Sequence, residues 1–112
     1  MKKIEAIIRP EKLDMVRNAL GEIGYPGITI TEVEGHGKQK GLVQQWRGKE
    51  YKVELLRKMK IEVVVKDMDV ERIVKVIMGK ARTDKIGDGK IFVSSVEDVF
   101  RIRTGEKGEG AV

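Results

Sequence analysis

The sequence contains no cysteine and only one histidine, His36. The lack of cysteine excludes disulfides, thiolate metal sites and cysteine nucleophiles, and a lone histidine excludes a cage of several histidines around a metal. Five aromatic residues are few for a protein that stacks nucleic-acid bases. No apolar run approaches the roughly 18 residues that a membrane span needs, and no signal-peptide core is found. We therefore expect a cytoplasmic protein that neither binds nucleic acid nor inserts into a membrane.

Charge and glycine are abundant instead. Of the 112 residues 37% are charged, the net charge is +5, and the two signs are interleaved as on a solvated surface. Thirteen glycines gather between the periodic segments, which indicates turns and loops. With 40% hydrophobic residues the chain suffices for one core, so we expect a single domain over residues 1–112.

The chain repeats itself. Residues 3–9 (KIEAIIR) resemble residues 60–66 (KIEVVVK), and the same offset aligns the apolar positions that follow each segment. Each half reads as a β-strand followed by an amphipathic helix, the first helix starting near Pro10 and the second capped by Asp67 or Asp69. Two such halves predict a duplicated βαβ unit.

Further strands are predicted at 28–34 and 91–96, with a short additional one at 99–103. The resulting fold class is α+β and ferredoxin-like: an antiparallel sheet with two helices on one face and a long loop between strands 2 and 3. The other face is half apolar, which indicates either a sheet-to-sheet oligomer or scattered exposed apolar residues. It would carry Glu5, Ile7, Thr29, Thr31, Val33, Glu62 and Val64.

The loop over residues 37–52 shows neither a helical nor a strand period. A structureless loop of this length is uncommon in a compact domain and is usually functional. It holds the only tryptophan, Trp46, and one of two tyrosines, Tyr51. Aromatic residues on a polar loop favour partner contact, and a hairpin extension with ordinary cross-strand aromatics is the alternative.

Two further features point to an anion. Gly87, Asp88, Gly89 and Lys90 form a glycine-rich turn before a strand, either a backbone nest for phosphate followed by a lysine or an ordinary hairpin turn. Arg101 and Arg103 would share one side of a strand, either converging on an anion or solvated separately.

The same segments resemble a known family. Residues 83–96 (TDKIGDGKIFVSSV) resemble the C-terminal signature of the PII nitrogen-regulatory proteins, and residues 46–51 (WRGKEY) resemble their loop signature. Residues 1–10 and 101–106 are also similar. The resemblance implies a ferredoxin-like homotrimer in which ATP and ADP compete for clefts between subunits. It also implies that 2-oxoglutarate binds next to ATP through Mg²⁺, and that a loop at about residues 37–55 contacts an ammonium transporter or a nitrogen-metabolism enzyme or regulator.

The resemblance also assigns residues. Nucleotide-binding positions would be Ile7, Thr29, Gly35, Gly37, Lys38, Gln39, Val64, Gly87, Asp88, Gly89, Lys90, Arg101 and Arg103. The 2-oxoglutarate site would comprise Gln39, Lys40, Gly41 and Lys58, with Gln39 on Mg²⁺ as well. Tyr51 matches a tyrosine that some members carry uridylylated. Asp84 stands where glycine is usual in the family.

Two other functions remain open on this topology. RNA-recognition motifs share it but need aromatic residues on the central strands, where this sequence has Glu5 and Ile7. A small phosphate-hydrolysing protein would need a positioned nucleophile or base, and none stands out. We therefore expect a regulator rather than an enzyme, with residues 105–112 as a flexible tail.

Overall fold

The computed structural model describes residues 1–37, 44–46, 49–51 and 54–112, with side chains at 1–35 and 56–112. Its regular elements are β1 (Lys2–Ile8), α1 (Leu13–Glu22), β2 (Thr29–Gly37), β3 (Gln44–Trp46), β4 (Lys49–Tyr51), β5 (Glu54–Val65), α2 (Val70–Ala81) and β6 (Lys90–Ser95). Short 3₁₀ turns lie at Pro10–Lys12, Asp67–Asp69 and Glu109–Ala111.

Four strands form one antiparallel sheet in the order β2-β5-β1-β6. The duplicated halves supply its two central strands, β1 and β5, and each half contributes one helix. The two helices pack against each other and against one face of the sheet. The predicted ferredoxin-like α+β fold is confirmed.

The core lies between this sheet face and the helices. Every second residue of β1 and β5 points into it, as period-two strands require, and the helices add residues spaced three and four apart. A fully buried isoleucine contributes roughly 1.5–3 kcal/mol relative to an exposed one. The buried core comprises Ile4, Ala6, Ile8, Val16, Ala19, Leu20, Ile61, Val63, Val65, Ile73, Ile77 and Ala81.

The helix starts differ in one respect from expectation. Pro10 opens a 3₁₀ turn that leads into α1, as predicted. Asp69 precedes α2 but is itself helical (φ −97°, ψ −8°), so its side chain makes no capping hydrogen bond. It accepts the hydroxyl of Tyr25 instead, while Asp67 pairs with the N-terminal amine at 2.9 Å. The prediction of a side-chain cap by Asp67 or Asp69 is therefore wrong.

The second sheet face is the predicted open face. Register places Glu62 opposite both Glu5 and Thr29, so these side chains project together. The Lys3 Nζ lies 2.8 Å from a carboxylate oxygen of Glu62, and the Lys60 Nζ lies 3.4 Å from the other. The hydrogen bond from Lys3 lowers the pKa of Glu62 and raises that of Lys3. Neighbouring glutamates are tolerated on the open face because lysines lie between them.

The loop between β2 and β5 has nearly the predicted bounds. It spans residues 38–53, because β2 ends at Gly37 and β5 starts at Glu54. Within the loop, β3 and β4 pair antiparallel, with Gln44 opposite Tyr51 and Trp46 opposite Lys49. This pairing favours the hairpin-extension alternative for these residues.

The additional strand predicted at 99–103 is wrong. The chain there forms only an isolated antiparallel pair, Phe100 with Lys107. Gly105, in a left-handed conformation (φ 72°), reverses the chain, and its amide donates to the Arg101 carbonyl at 2.8 Å. The following residues 106–112 fold back on this turn.

Candidate functional site

Some of the predicted site residues come together at one end of the sheet. Ile7 near the end of β1 lies opposite both Lys60 on β5 and Lys90 on β6. Because neighbouring strands run antiparallel, the end of β1 therefore meets the start of β6 and the early part of β5. The glycine turn, defined here as residues 87–90, lies at this end of the sheet.

Backbone geometry explains the glycines of the glycine turn. Gly87 and Gly89 have φ of 102° and 103°, a region that side chains disfavour. A Cβ atom on Gly89 would lie 1.7 Å from the carbonyl oxygen of Ile7. The turn thus lies directly against β1 and could not do so with any other residue at position 89.

Lys58 places a buried positive charge beside the glycine turn. Its side chain is 8% exposed, and its ammonium group donates to the carbonyl of Gly87. Burial lowers the pKa of Lys58, and the nearby Arg9 lowers it further. Among the residues described with side chains, no carboxylate forms an ion pair with Lys58. The carboxylates of Glu11 and Asp88 raise this pKa by less than burial lowers it. A buried ammonium is costly without an ion-pair partner, so an anion bound here would stabilise it.

The Asp88 carboxylate is directed towards Arg9 and the start of the 83–88 segment. Its carboxylate accepts the Thr83 hydroxyl and the Thr83 amide, the latter at 2.8 Å, and the Asp84 amide at 2.9 Å. The Arg9 Nε donates to it at 3.1 Å. These donors, led by the Thr83 hydroxyl, hold the pKa of Asp88 well below its usual range.

Asp84 adopts a backbone conformation that is uncommon for a residue other than glycine. Asp84 has φ 65°, the left-handed region that glycine enters freely and aspartate tolerates. Its exposed carboxylate lies 3.6 Å from the Arg82 Nε. The extra negative charge is thus paired with an arginine.

Two other predicted nucleotide-binding residues, Val64 and Thr29, lie away from the glycine turn. Val64 is opposite Lys3, four residues along β1 from Ile7, which is roughly 13 Å at the usual strand rise. Thr29 is opposite Glu62, towards the same far end. A single chain therefore does not bring Val64 or Thr29 to the glycine turn.

Arg101 and Arg103 belong to the C-terminal turn (residues 98–110). Arg101 pairs with the Glu106 carboxylate at 2.7 Å and donates to the Gly110 carbonyl at 3.3 Å. Arg103 is exposed. They lie on a turn rather than a strand, so the strand argument for their convergence does not hold.

The remaining predicted residues are less fully described. Gly35, near the end of β2, lies opposite Leu56. A Cβ atom built on Gly35 would lie 3.6 Å from the Cγ of Lys58. Gly37 ends β2 and Tyr51 ends β4, each described by its backbone alone. Positions 38–41, with the predicted Lys38, Gln39, Lys40 and Gly41, lie outside the described residues.

Sequence reasoning missed two residues near the glycine turn, Arg9 and Thr83. Both stand in segments that resemble the family, but neither has a pattern that would identify it. Arg9 occupies the position that corresponds to Lys66 in the repeat, and only the structure shows it bonded to the Ile86 carbonyl at 2.8 Å. A pairing across so many residues leaves no local periodicity to detect.

A cleft of about 380 Å³ opens on the helical side, between α2 and β6. Apolar side chains dominate its walls, among them Val74, Met78 and Val93, and it reaches the turn at Asp88. It forms because α2 packs against β1 and leaves the outer side of β6 uncovered. Its lining suits an apolar group rather than a phosphate.

Two classes of feature are absent from the described residues. They contain no group of three or more His, Cys, Asp or Glu side chains placed to hold a metal ion. Nor does any helix among them have the length and apolarity needed to cross a membrane.

Comparison with known proteins identifies the family. The profile described as "Nitrogen regulatory protein P-II" matches residues 1–106. A "Nitrogen regulatory protein P-II" from Azospirillum brasilense is 59% identical over 112 residues, covering 100% of both chains. The chain belongs to the P-II family.

Further P-II relatives come from distant sources. "Nitrogen regulatory protein P-II 2" of Methanothermobacter thermautotrophicus is 55% identical over 100% of this chain and 97% of its own. The Rhizobium meliloti protein "Nitrogen regulatory protein P-II" is 56% identical over the whole of both chains. P-II membership makes this chain a nitrogen-regulatory signalling protein.

Proposed function

We propose that this P-II protein senses ATP, ADP and 2-oxoglutarate and relays their levels to nitrogen-assimilation proteins. The observation that carries the proposal is the buried Lys58 ammonium beside the glycine turn. A cation held there without a carboxylate partner favours an anionic ligand. The open side of the turn is the place for it.

The nucleotide phosphates would bind at the glycine turn. Left-handed glycines allow successive amides to point to one side and form a nest for phosphate oxygens. Lys90 follows directly and supplies a charge-assisted hydrogen bond. Ile7, opposite Lys90, offers apolar surface at the same edge.

Mg²⁺ and 2-oxoglutarate would bind next to the phosphates. The described residues contain no metal-ligand cluster, so the ion would be held mainly by phosphate oxygens, which suits its preference for few protein ligands. Gln39 would be its protein ligand, and the ion supplies the charge that lets two anions lie side by side. Lys58 would pair with the far carboxylate of 2-oxoglutarate, with Lys40 and Gly41 near it.

The complete nucleotide site would need two subunits. The glycine turn lies at one end of the sheet, whereas Val64 and Thr29 lie towards the other, and Arg101 and Arg103 follow β6 beyond that far end. In a ring of identical chains, one end of each chain meets the opposite end of the next. We propose a homotrimer in which the nucleotide lies between such ends.

The loop at about residues 37–55 would carry the signal. Its base contains the residues proposed to contact Mg²⁺ and 2-oxoglutarate, so ligand binding would bias its conformation. The proposed partner is an ammonium transporter or a nitrogen-metabolism enzyme or regulator in the cytoplasm. The protein would act by contact and not as an enzyme.

Titration calorimetry tests this function directly. The parent protein should bind ATP and ADP, and Lys90→Ala should weaken both by about 1.5–3 kcal/mol, the usual contribution of a charged hydrogen bond. Lys80→Ala removes an exposed lysine at the end of α2 and should leave affinity unchanged. Equal ATP affinity in Lys90→Ala and the parent would remove the glycine turn from the site.

A second titration tests the coupling between ligands. We expect 2-oxoglutarate to bind only with Mg-ATP present, because two adjacent anions repel without a cation between them. Trp46, the only tryptophan, should report the accompanying loop change by fluorescence. Tight binding of 2-oxoglutarate to the nucleotide-free protein, or an emission that no ligand alters, would contradict this coupling.

A further inference from the structure

The Asp88 carboxylate has no free face for a ligand. The Thr83 hydroxyl and the Arg9 Nε reach one oxygen, and the amides of Thr83 and Asp84 reach the other, at 2.8 and 2.9 Å. An ionised carboxylate offers about four acceptor sites, and four protein donors occupy them here. Asp88 therefore cannot serve as a ligand-contacting group while these bonds persist.

These bonds tie three parts of the fold together. Arg9 directly follows β1, Thr83 follows the end of α2, and Asp88 lies inside the glycine turn. Arg9 also donates to the Ile86 carbonyl at 2.8 Å, and the Thr83 hydroxyl accepts the Lys85 amide at 3.2 Å. The segment from 83 to 88 is thus closed on itself and fastened to the sheet.

The fastening fixes the backbone that follows. Gly89 lies directly against the Ile7 carbonyl, where there is no room for a Cβ atom. The direction of the amides at 87–90 is therefore determined by the Asp88 anchor on one side and by β1 on the other. Hydrogen bonds that hold a binding group in place are worth affinity because the ligand need not order it.

We propose that Thr83 and Asp88, supported by Arg9, are positioning residues for the phosphate-binding turn. They touch no ligand; they hold the amides of the glycine turn in the orientation that phosphate requires. The proposal rests on the nucleotide-binding function proposed above. It also explains how the negatively charged Asp88 can lie beside a phosphate site, because Arg9 compensates that charge.

The test compares two substitutions at position 83. Thr83→Val keeps the side-chain shape and removes the hydroxyl donor, whereas Thr83→Ser retains the donor. Thr83→Val should weaken ATP and ADP binding about tenfold, equivalent to about 1.4 kcal/mol. Thr83→Ser should restore most of that affinity. Each titration is run at a temperature below the thermal unfolding transition of the variant. Circular dichroism measures that transition.

Amide hydrogen exchange in the ligand-free protein provides a second readout. The Asp84 amide donates to Asp88, so it should exchange faster in Thr83→Val than in Thr83→Ser, while amides of the β1–β5 ladder stay protected. Asp88→Asn, which removes the charge and one acceptor, should show the same two effects. It keeps the proposal testable if Thr83→Val does not fold.

The outcomes separate the two proposals. A parent protein that binds neither ATP nor ADP would overturn the nucleotide function itself. A parent that binds both, with folded Thr83→Val and Asp88→Asn variants of unchanged affinity, would overturn the positioning role alone. Equal losses in Thr83→Val and Thr83→Ser would also overturn it, because the hydroxyl would not be the cause.

Discussion

At position 89 the surrounding backbone leaves no room for a side chain. Gly89 combines a left-handed φ of 103° with the Ile7 carbonyl at 1.7 Å from an ideal Cβ. The two constraints have different origins, since one is intrinsic to the residue and the other comes from β1. Gly79, by contrast, lies in α2 with nothing within 4 Å of an added Cβ.

Replacing these two glycines should have opposite effects. Gly89→Ala should lower the free energy of unfolding by about 3 kcal/mol or more, because the turn must leave β1 and alanine is strained at positive φ. Gly79→Ala should raise it by roughly 0.5–1 kcal/mol through helix propensity. Urea unfolding at one fixed protein concentration measures both. Equal stability of Gly89→Ala and the parent would show that the turn is not held against β1.

The ionisation of Asp88 should be visible in the pH dependence of stability. Its pKa in the folded protein lies below that of the unfolded chain, chiefly because of the Thr83 hydroxyl. The ionised form therefore stabilises the fold above about pH 4, the ordinary aspartate range, and this contribution is lost as the pH falls below it.

Unfolding curves of the parent and Asp88→Asn between pH 7 and pH 2 provide the measurement. The parent should be more stable at neutral pH, and the difference in stability should narrow in acid because Asp88 is protonated in the unfolded chain before it is protonated in the folded protein. Comparison with the variant cancels contributions of other carboxylates, such as Glu62 and Asp67, whose pKa values are also lowered. A gap that stays constant down to the lowest pH would contradict the bonding described for Asp88.

At the scale of elements, hydrophobic periodicity predicted the strands and helices whose buried residues recur at a regular spacing. The alternation in residues 3–9 and 60–66 placed β1 and β5, and the amphipathic pattern that starts near Pro10 placed α1. The glycine turn was located because a turn with positive φ strongly favours glycine, which leaves a local signal in the sequence.

The parts that sequence reasoning did not predict depend on contacts between distant residues. The Arg9–Asp88 pair joins residues 79 positions apart, and no local pattern marks it. Residues 99–103 were predicted as a short strand, on which Arg101 and Arg103 would share one side. Gly105 and the Arg101–Glu106 pair decide the outcome there instead.

The C-terminal turn provides a prediction of its own. Glu106 occupies Arg101 with a carboxylate that competes with any phosphate for the same guanidinium. Both side chains are about half exposed, and such pairs contribute only about 0–1 kcal/mol to stability. Glu106→Gln should therefore fold normally and bind ATP more tightly, by up to roughly fivefold.

The matched control is Glu109→Gln, which removes the same charge from an exposed residue of the C-terminal 3₁₀ turn. It should leave ATP affinity unchanged when both variants are titrated in the same buffer. If Glu106→Gln weakens ATP binding as much as Arg101→Ala does, then Glu106 supports the site rather than competing with the ligand.

At the scale of the whole molecule, one chain would supply two separate halves of the proposed nucleotide site. The glycine turn with Lys58 and Lys90 lies at one end of the sheet, and the C-terminal turn follows β6 beyond the other. The open face between them combines apolar side chains such as Val64 with the Lys3–Glu62 pair. Because these two parts lie far apart in one chain, a nucleotide that contacts both would have to lie between two chains. A ring of chains is therefore the proposed assembly.

Mixing two defective variants tests whether the halves come from different chains. Lys90→Ala damages the glycine-turn half and Arg103→Ala damages the C-terminal half, so each homotrimer alone should bind ATP poorly. In any mixed trimer, one of the three interfaces joins an intact Lys90 to an intact Arg103. Light scattering first checks that each variant has three times the 12.6 kDa chain mass.

Random assembly of equal amounts of the two variants, by unfolding and refolding them together, should therefore restore about a quarter of the parent's ATP sites, each with parental affinity. Calorimetry reads this as a stoichiometry of about a quarter, distinct from a uniform weakening of all sites. The same variants refolded separately and mixed afterwards form the control and should show no recovery unless subunits exchange. If the co-refolded sample recovers nothing while its mass is trimeric, Lys90 and Arg103 of one chain serve the same nucleotide. A monomeric mass for the parent would exclude a shared site altogether.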